Sequence, residues 1–359
     1  MTTCTNASGK ARFKNHLAKL GSGKNTSRGL SREESADALH LMLCGEASAA
    51  QIGAFMIAHR IRRPEPQELA GMLDTYMKLG PSLKSKAGQR RPICFGMPFD
   101  GRTKTAPIYP LTALILLTAG QPVVLHGGKR MPTKYGVTGE ELFQALGLNV
   151  KGLPIKETED CFKNNGFGYI YQPDHFPLAE KLILYREEIG KRPPLASMEL
   201  LWNAHKGEHL LVSGFLHPPT ESRALETLDL LKEIDVITIK GLEGGTDLPI
   251  SHTCITSRRK QKASERIFLY PKDFNCAGKD IQWIDIYQWK IHAIEALSNR
   301  GPYARSLRWN SGVYLWFSGI SSNIKEGIEQ ADFYMRSELA RETLENLIGW
   351  RKSVQELAR

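Results

Sequence analysis

The stretch at residues 91–136 constrains the fold more than any other part of the sequence. An apolar run ends in a turn rich in glycine, proline and aspartate, and an apolar segment of helix length follows it. A second apolar run at 122–126 leads into another glycine-rich turn. This order of strand, loop, helix, strand and loop is typical of a parallel sheet that holds an anionic ligand at its carboxyl edge.

Both loops carry basic side chains, which makes this edge the candidate functional centre. They are Arg102 and Lys104 in the first loop, and Lys129, Arg130 and Lys134 in the second. The formal net charge is +10, and residues 1–136 contain 20 Lys and Arg against 8 Asp and Glu. A basic half of this kind suits an acidic small ligand, a nucleic acid, or simply a soluble surface.

The remaining pattern predicts an α/β protein with a small helical N-terminal domain and a larger α/β domain. Ser31 with Glu34, and Ser48 with Gln51, form capping boxes that predict early helices. Later strand-like runs lie at 167–172, 208–215, 235–241 and 266–271, with helical periodicity at 178–189 and 219–233. This alternation predicts a mostly parallel central sheet flanked by helices. We expect the helical domain at 1–86 and the α/β domain at 87–359.

Composition argues against several classes of protein. The six cysteines show no CxxC spacing and the ten histidines show no zinc-ligand spacing, so neither a structural zinc nor a disulfide framework is expected. No apolar run approaches the roughly 20 residues that cross a bilayer, and the N-terminus has no hydrophobic signal core. The simplest expectation is a cytoplasmic protein without a membrane partner.

A helical segment at 31–72 and five later motifs resemble a known family. The motifs are FGMPFDG, PVVLHGGK, TKYG, FGYIYQP and YREEIGKR. Together they resemble anthranilate phosphoribosyltransferase and its relatives of glycosyltransferase family 3, which include type III nucleoside phosphorylases. The resemblance covers nearly the whole chain. It implies a helical domain joined in space by helices within about 176–204, and a homodimer formed through the helical domain.

A basic segment near the N-terminus points to one branch of that family. It has the pattern GxGKN followed by arginine, formed by Gly21, Gly23, Lys24, Asn25 and Arg28. This pattern is similar to the divergent TrpD-like branch, whose members are associated with nucleic-acid binding. The cations that would then contact nucleic acid are Lys24, Arg28, Arg62, Arg63, Arg102 and Lys104. Contacts to backbone phosphates need only suitably placed charges, so such binding would be non-specific and salt-dependent.

The two loops of the opening stretch keep only part of the family's phosphate site. In the family, a GTGGDG loop wraps the pyrophosphate of phosphoribosyl pyrophosphate, because glycine lets backbone N–H groups approach closely. The residues that match in the two loops are Gly96, Asp100, Gly101, His126, Gly127 and Lys134. Pro98 lacks an N–H, and Phe99 and Tyr109 add bulk that fills the pocket. His126 either binds a ligand or is hydrogen-bonded to the backbone at a strand end.

The metal and acceptor positions also depart from the family pattern. The family binds Mg²⁺ with adjacent Asp and Glu; here Glu243 matches the first acid and Gly244 replaces the second. Asp247 either compensates for the missing acid or is a solvated loop residue. Arg186 matches an arginine of the family, and the resemblance implies that it contacts the carboxylate of anthranilate. The alternative is an arginine on the surface of a helix.

These residues lead to two hypotheses. The preferred one is a degenerate site for phosphoribosyl pyrophosphate and Mg²⁺, in a protein that binds single-stranded DNA or RNA. The alternative is an active phosphoribosyltransferase, a pentosyltransferase that uses phosphoribosyl pyrophosphate and Mg²⁺ with anthranilate or another aromatic or nitrogenous acceptor. Enzymatic activity is left open, and no cofactor other than Mg²⁺ is implied.

Overall fold

The computed structural model describes residues 8–23, 25–261 and 263–357 of the chain. Its first helices are α1 (Gly9–Leu20), α2 (Arg32–Leu43), α3 (Ala49–Arg62) and α4 (Pro66–Leu79). The two predicted capping boxes are confirmed, because Ser31 and Ser48 each accept from the backbone N–H three residues on and are capped in return. These caps satisfy N–H groups that a helix start otherwise leaves unpaired.

The larger part of the chain alternates strands with helices. The strands are β1 (Leu83–Lys84), β2 (Ile93–Gly96), β3 (Val123–Gly127), β4 (Phe167–Tyr171), β5 (His205–Lys206), β6 (Leu210–Gly214), β7 (Asp235–Ile239), β8 (Cys254–Lys260) and β9 (Ala263–Leu269). The helices up to β7 are α5 (Tyr109–Thr118), α6 (Gly139–Ala145), α7 (Ile155–Asn165), α8 (Gln172–His175), α9 (Pro177–Glu180), α10 (Ile183–Ile189), α11 (Leu195–Glu199) and α12 (Pro218–Leu230). The last four are α13 (Ile286–Leu297), α14 (Ala304–Ser318), α15 (Ile324–Arg336) and α16 (Leu339–Leu357).

Seven strands form the central sheet in the order β4-β3-β2-β6-β7-β8-β9. The first five run parallel, and β8 and β9 form an antiparallel hairpin at one edge. This confirms a helical N-terminal part followed by an α/β part with a mostly parallel sheet. The strand order reverses at β2, so the crevice at the carboxyl end of β2 is the expected ligand position in such a sheet.

Helices within residues 176–204 pack on α3 and α4 of the N-terminal helices. Phe176 and Trp202 meet Tyr76 of α4 edge to face, with ring centroids 4.9 and 5.7 Å from it. Leu182 and Met198 belong to the same buried apolar cluster. Residues that are distant in sequence therefore form one apolar cluster between the helices and the sheet.

The sequence patterns did not predict β8. Its residues Arg258, Arg259 and Lys260 pair with β7 and β9. Arg259 is buried and donates to the carbonyl of Glu233 at 3.0 Å. Among the described residues, no helix has both the length and the apolar character that crossing a bilayer requires.

Candidate functional site

A small cavity lies at the carboxyl ends of β2 and β3, beside the loop that follows β7. Pro98, Phe99 and Tyr109, which were predicted to fill this pocket, are among the residues that line it. The volume of the cavity, counted as the space open to the centre of a water molecule, is about 20 Å³. One water needs roughly 10–15 Å³ by this measure, whereas sites for small ligands span about 300–1,000 Å³. The cavity therefore holds one or two waters in this conformation.

Arg102 occupies the polar side of this cavity. Its Nη1 donates to Asp247 Oδ2 at 3.0 Å and its Nε donates to Glu243 Oε1 at 3.3 Å. Arg102 is 3% exposed and Asp247 is 1% exposed. Arg102, which was predicted to contact nucleic acid, is instead turned inward towards the buried Asp247 and the partly buried Glu243. An unpaired charge at this depth would cost several kcal/mol.

Glu243 is saturated by donors from the first loop. Its Oε1 accepts from the backbone N–H groups of Lys104 at 2.8 Å and Thr105 at 2.9 Å, and Lys134 Nζ lies 3.3 Å from Oε2. Burial alone would raise the pKa of Glu243, but these N–H donors together with Arg102 and Lys134 lower it to about 2. The carboxylate is thus ionised at physiological pH and fully engaged by the protein.

These acids do not fit a magnesium ion in this arrangement. The guanidinium of Arg102 contacts both Glu243 and Asp247, whereas Mg²⁺ requires oxygen ligands at about 2.0–2.1 Å in octahedral geometry. Gly244 has φ +79°, and a Cβ there would lie 3.1 Å from Leu216 Cγ, so the backbone disfavours a second acid. The described residues contain no group of three or more His, Cys, Asp or Glu with metal-site geometry. The interpretation of Asp247 as a solvated loop residue is also wrong, since it is buried.

His126 is a neutral core residue at the end of β3. Its ring lies 5.0 Å from the centroids of both Phe99 and Trp202. The N–H of Met97 donates to His126 Nε2 at 3.4 Å. Burial lowers the pKa of His126 to about 3, so the ring carries no charge that could attract phosphate. Of the two interpretations, the structure has the histidine hydrogen-bonded to the backbone.

Most of the other loop cations are also paired with carboxylates. Arg130 Nε lies 2.8 Å from Glu141, and Lys129 Nζ lies 3.9 Å from Glu180. Lys104 is exposed, and its side chain forms no ion pair with any described residue. Little positive charge therefore remains free at the sheet edge.

The glycines and aspartate of the first loop contact the protein itself. Gly96 and Gly127 are the last residues of β2 and β3. A Cβ on Gly101, whose φ is +73°, would lie 2.4 Å from the carbonyl oxygen of Gly136, so this glycine allows two chain segments to approach. Asp100 is buried and accepts from Arg192. The loop keeps two glycines of the GTGGDG pattern, Gly96 and Gly101, but neighbouring backbone fills the space beside Gly101.

The acceptor arginine is neutralised inside the cleft. Arg186 and Glu199 are both buried, and the guanidinium of Arg186 donates to both carboxylate oxygens of Glu199. Arg186 Nη1 also lies 3.1 Å from Met131 Sδ. The interpretation of Arg186 as a helix-surface arginine is wrong. Arg186 contacts the carboxylate of Glu199, whereas the resemblance implies a contact with the carboxylate of anthranilate.

The predicted nucleic-acid contacts do not form one site. Arg28 and Arg63 are exposed, Arg62 pairs with Glu65 at 2.7 Å and with Glu68, and Arg102 is interior. Lys24 lies outside the described residues. Arg62 and Arg63 line a cavity of about 730 Å³ against α12. The sequence patterns missed Glu199 and Arg192, and nothing in the local sequence marks either as the partner of a site residue.

Comparison with known proteins shows which proteins this chain is similar to. Residues 14–80 match the helical bundle domain of the glycosyl transferase family. The chain is 22% identical over 317 residues to anthranilate phosphoribosyltransferase of Cupriavidus metallidurans, covering 86% of this chain and 91% of the relative. It is 25% identical over 340 residues to that of Geobacillus sp. strain WCH70, covering 93% and 97%.

The solved structures show the same fold. Anthranilate phosphoribosyltransferase from Saccharomyces cerevisiae in complex with PRPP and Mg superposes with a TM-score of 0.80 and 16% identity, covering 96% of this chain and 99% of that one. Residues 14–80 thus match a glycosyl transferase helical bundle domain. The chain as a whole is similar to anthranilate phosphoribosyltransferases and shares their fold. The names of these relatives specify phosphoribosyl transfer and not nucleic-acid binding.

Proposed function

We propose that this chain binds single-stranded nucleic acid through its phosphates and does not use phosphoribosyl pyrophosphate. The observation that carries the proposal is the position of Arg102, whose side chain contacts Glu243 and Asp247 inside the cavity at the sheet edge. A donor substrate would have to displace this buried ion pair and replace its hydrogen bonds. Breaking a buried pair of this kind costs about 3–5 kcal/mol.

Exposed basic side chains without an ion pair support binding to a polyanion. Arg28, Arg63 and Lys104 are exposed, and none of them forms an ion pair with a described residue. The excess of 20 basic over 8 acidic residues lies in the first 136 residues, the part that contains these three. Exposed, unpaired cations suit backbone phosphates, because such contacts need charge but no fixed geometry.

Phosphoribosyl transfer is the second candidate, and the comparisons favour it over nucleic-acid binding. The relatives named above are anthranilate phosphoribosyltransferases, and the yeast structure carries PRPP and Mg. In that case Gly96, Gly101 and Lys134 would contact the donor, and Arg186 would contact the acceptor. This function requires Arg102 and Glu199 to release their present partners.

One experiment separates the two candidates. The binding of labelled oligothymidylate is measured at 50 and 200 mM salt, while turnover is assayed with phosphoribosyl pyrophosphate, Mg²⁺ and anthranilate. The proposal predicts binding that weakens at least about 10-fold between these salt concentrations, without turnover. Turnover combined with no binding at 50 mM salt would establish the second candidate.

Variants then locate the binding surface. Replacing Lys24, Arg28 and Lys104 with Ala is expected to weaken oligonucleotide binding and to lower its salt slope, because fewer counterions are released. Arg300 is a matched control, since it is exposed and forms no ion pair with a described residue. An unchanged salt slope in the triple variant would exclude this surface.

A homodimer formed through the helical domain remains part of the proposal. The resemblance implies it, and Ile61 at the end of α3 is 77% exposed, so its apolar side chain is available for a contact. Sedimentation of wild type and Ile61→Lys tests it. A monomer at micromolar concentration in the wild type would reject the dimer.

A further inference from the structure

A second cavity lies away from the sheet edge, between the end of α3 and the start of α12. Its volume is about 410 Å³. Four arginines line it: Arg60, Arg63, Arg192 and Arg223. No acidic residue is among its lining residues. The size falls within the usual range of about 300–1,000 Å³ for small-ligand sites. We call it the arginine pocket.

The charges in the arginine pocket are largely uncompensated. Arg192 is neutralised by Asp100, and Arg60 Nη1 donates to the carbonyl oxygen of Arg192 at 2.5 Å. The side chains of Arg63 and Arg223 make no hydrogen bond or ion pair with any described residue. Three guanidinium charges therefore line one cavity without a carboxylate partner. Like charges gathered in a concave site raise the local positive potential and attract anions.

The position of Arg223 strengthens this point. It is half-buried on the first turns of α12, so water alone solvates its guanidinium less completely than on an open surface. Arg63 ends α3 with φ +66°, a backbone conformation that non-glycine residues rarely adopt. The two arginines line both the arginine pocket and the adjoining 730 Å³ cavity. Glu65 and Glu226 line the adjoining cavity but not the arginine pocket.

We propose that the arginine pocket binds a phosphate monoester, with Arg63 and Arg223 as its principal donors and Arg60 as a third. Guanidinium groups match the oxygens of a phosphate group and can each donate two parallel hydrogen bonds to them. Ser197 and Thr220 also line the pocket and provide hydroxyl donors. The phosphate belongs either to a free nucleotide or to the 5′ end of a strand. The second source rests on the proposed nucleic-acid binding.

Calorimetric titrations in phosphate-free, low-salt buffer test the pocket itself. The probes are AMP and inorganic phosphate, and the variants are Arg63→Gln, Arg223→Gln and the double variant, with Arg300→Gln as control. We expect AMP to bind wild type and the control, and to bind the double variant at least 10-fold more weakly. Absence of AMP and phosphate binding in the wild type, or equal binding by wild type and both single variants, overturns the proposal.

The variants are designed to stay folded. Arg63 is exposed, so Arg63→Gln removes charge without removing packing, and its circular dichroism and Tm should equal those of wild type. Arg223→Lys keeps the charge but loses the paired donors. We expect it to bind AMP more weakly than wild type and more tightly than Arg223→Gln. Equal loss in both Arg223 variants, together with full AMP binding by Arg63→Gln, would contradict the proposed donors.

A comparison of two oligonucleotides identifies the source of the phosphate. They have the same sequence, one with a 5′-phosphate and one with a 5′-hydroxyl. Tighter binding of the phosphorylated strand, lost in Arg63→Gln, assigns the pocket to strand ends. Binding of AMP with no preference between the strands assigns it to free nucleotides. Failure of both strands to bind while AMP binds would reject the proposed nucleic-acid function and leave the pocket established.

Discussion

Arg102 Nη1 donates to Asp247 Oδ2 at 3.0 Å across 145 residues of sequence. The bond lies inside the cavity that the fold places at the carboxyl ends of β2 and β3. The guanidinium of Arg102 thus lies beside Glu243 and Asp247, the two acids to which the resemblance assigns a metal. The proposed function rests on this contact between Arg102 and Asp247.

We expect Arg102→Leu to destabilise the fold by about 3–5 kcal/mol, because Asp247 would remain as a buried charge without its partner, whereas Glu243 keeps its contact with Lys134. Urea denaturation measures the effect. Lys104→Ala is the control, since Lys104 is exposed and should change the free energy of unfolding by less than about 0.5 kcal/mol. Adding Asp247→Asn to Arg102→Leu should recover part of the loss. A purely additive double variant would show that the two residues do not interact.

Glu199→Gln should unmask a carboxylate site in the cleft. The substitution leaves the buried guanidinium of Arg186 without a charged partner. A small aromatic acid then offers the missing carboxylate. We expect anthranilate to raise the Tm of Glu199→Gln but not that of wild type, and aniline, which lacks the carboxylate, to raise neither. Equal stabilisation of wild type by anthranilate would show that Glu199 does not close the site.

Restoring the second acid at position 244 should not create a magnesium site. Gly244 has φ +79° and Leu216 lies close to the position of a Cβ. Gly244→Glu is expected to cost about 1–2 kcal/mol from backbone strain, with a further cost from the contact. Gly88→Ala is the matched control, since Gly88 has φ +74° and no atom within 4 Å of its Cβ position. A Tm of Gly244→Glu that rises with millimolar Mg²⁺ would contradict this prediction.

The stability of the fold should fall as the solution becomes acidic, in part through His126. Burial lowers the pKa of His126 to about 3, below its unfolded value of about 6.5. The unfolded state therefore binds a proton first, and stability is complete above pH 6.5 and declines as pH falls towards 3. The contribution of His126 should reach about 1.4 kcal/mol per pH unit in that window. Denaturation of His126→Asn across pH 7 to 4 should show a shallower slope than wild type, and an equal slope would refute this assignment.

The helix caps and the mostly parallel α/β arrangement could be predicted from sequence, whereas the long-range pairs of side chains could not. The capping boxes at Ser31 and Ser48 involve residues three apart, so the pattern contains both partners. The strand β8 was missed because Arg258 and Arg259 are polar, although Arg258 pairs with Asp235 and Arg259 extends to backbone carbonyls.

The candidate site shows the same limit. Glycine and aspartate positions indicated where the loops lie, and Pro98, Phe99 and Tyr109 do line the cavity between them. Residue type alone suggested that Arg102 and Arg186 were available to a ligand. Their partners Asp247 and Glu199 become visible only when the fold brings the elements together, because no spacing in the chain relates them.

Titration of phosphoribosyl pyrophosphate with Mg²⁺ into the wild-type protein tests the central claim most directly. Calorimetry with millimolar ligand reports binding whether or not any acceptor is turned over. We expect no saturable heat from binding at the sheet edge, because Arg102 holds Glu243 and Asp247. Binding at the arginine pocket would also give heat. That heat would be retained in Lys134→Ala and lost in the double variant of Arg63 and Arg223. Micromolar, Mg²⁺-dependent binding that is lost in Lys134→Ala would contradict the central claim.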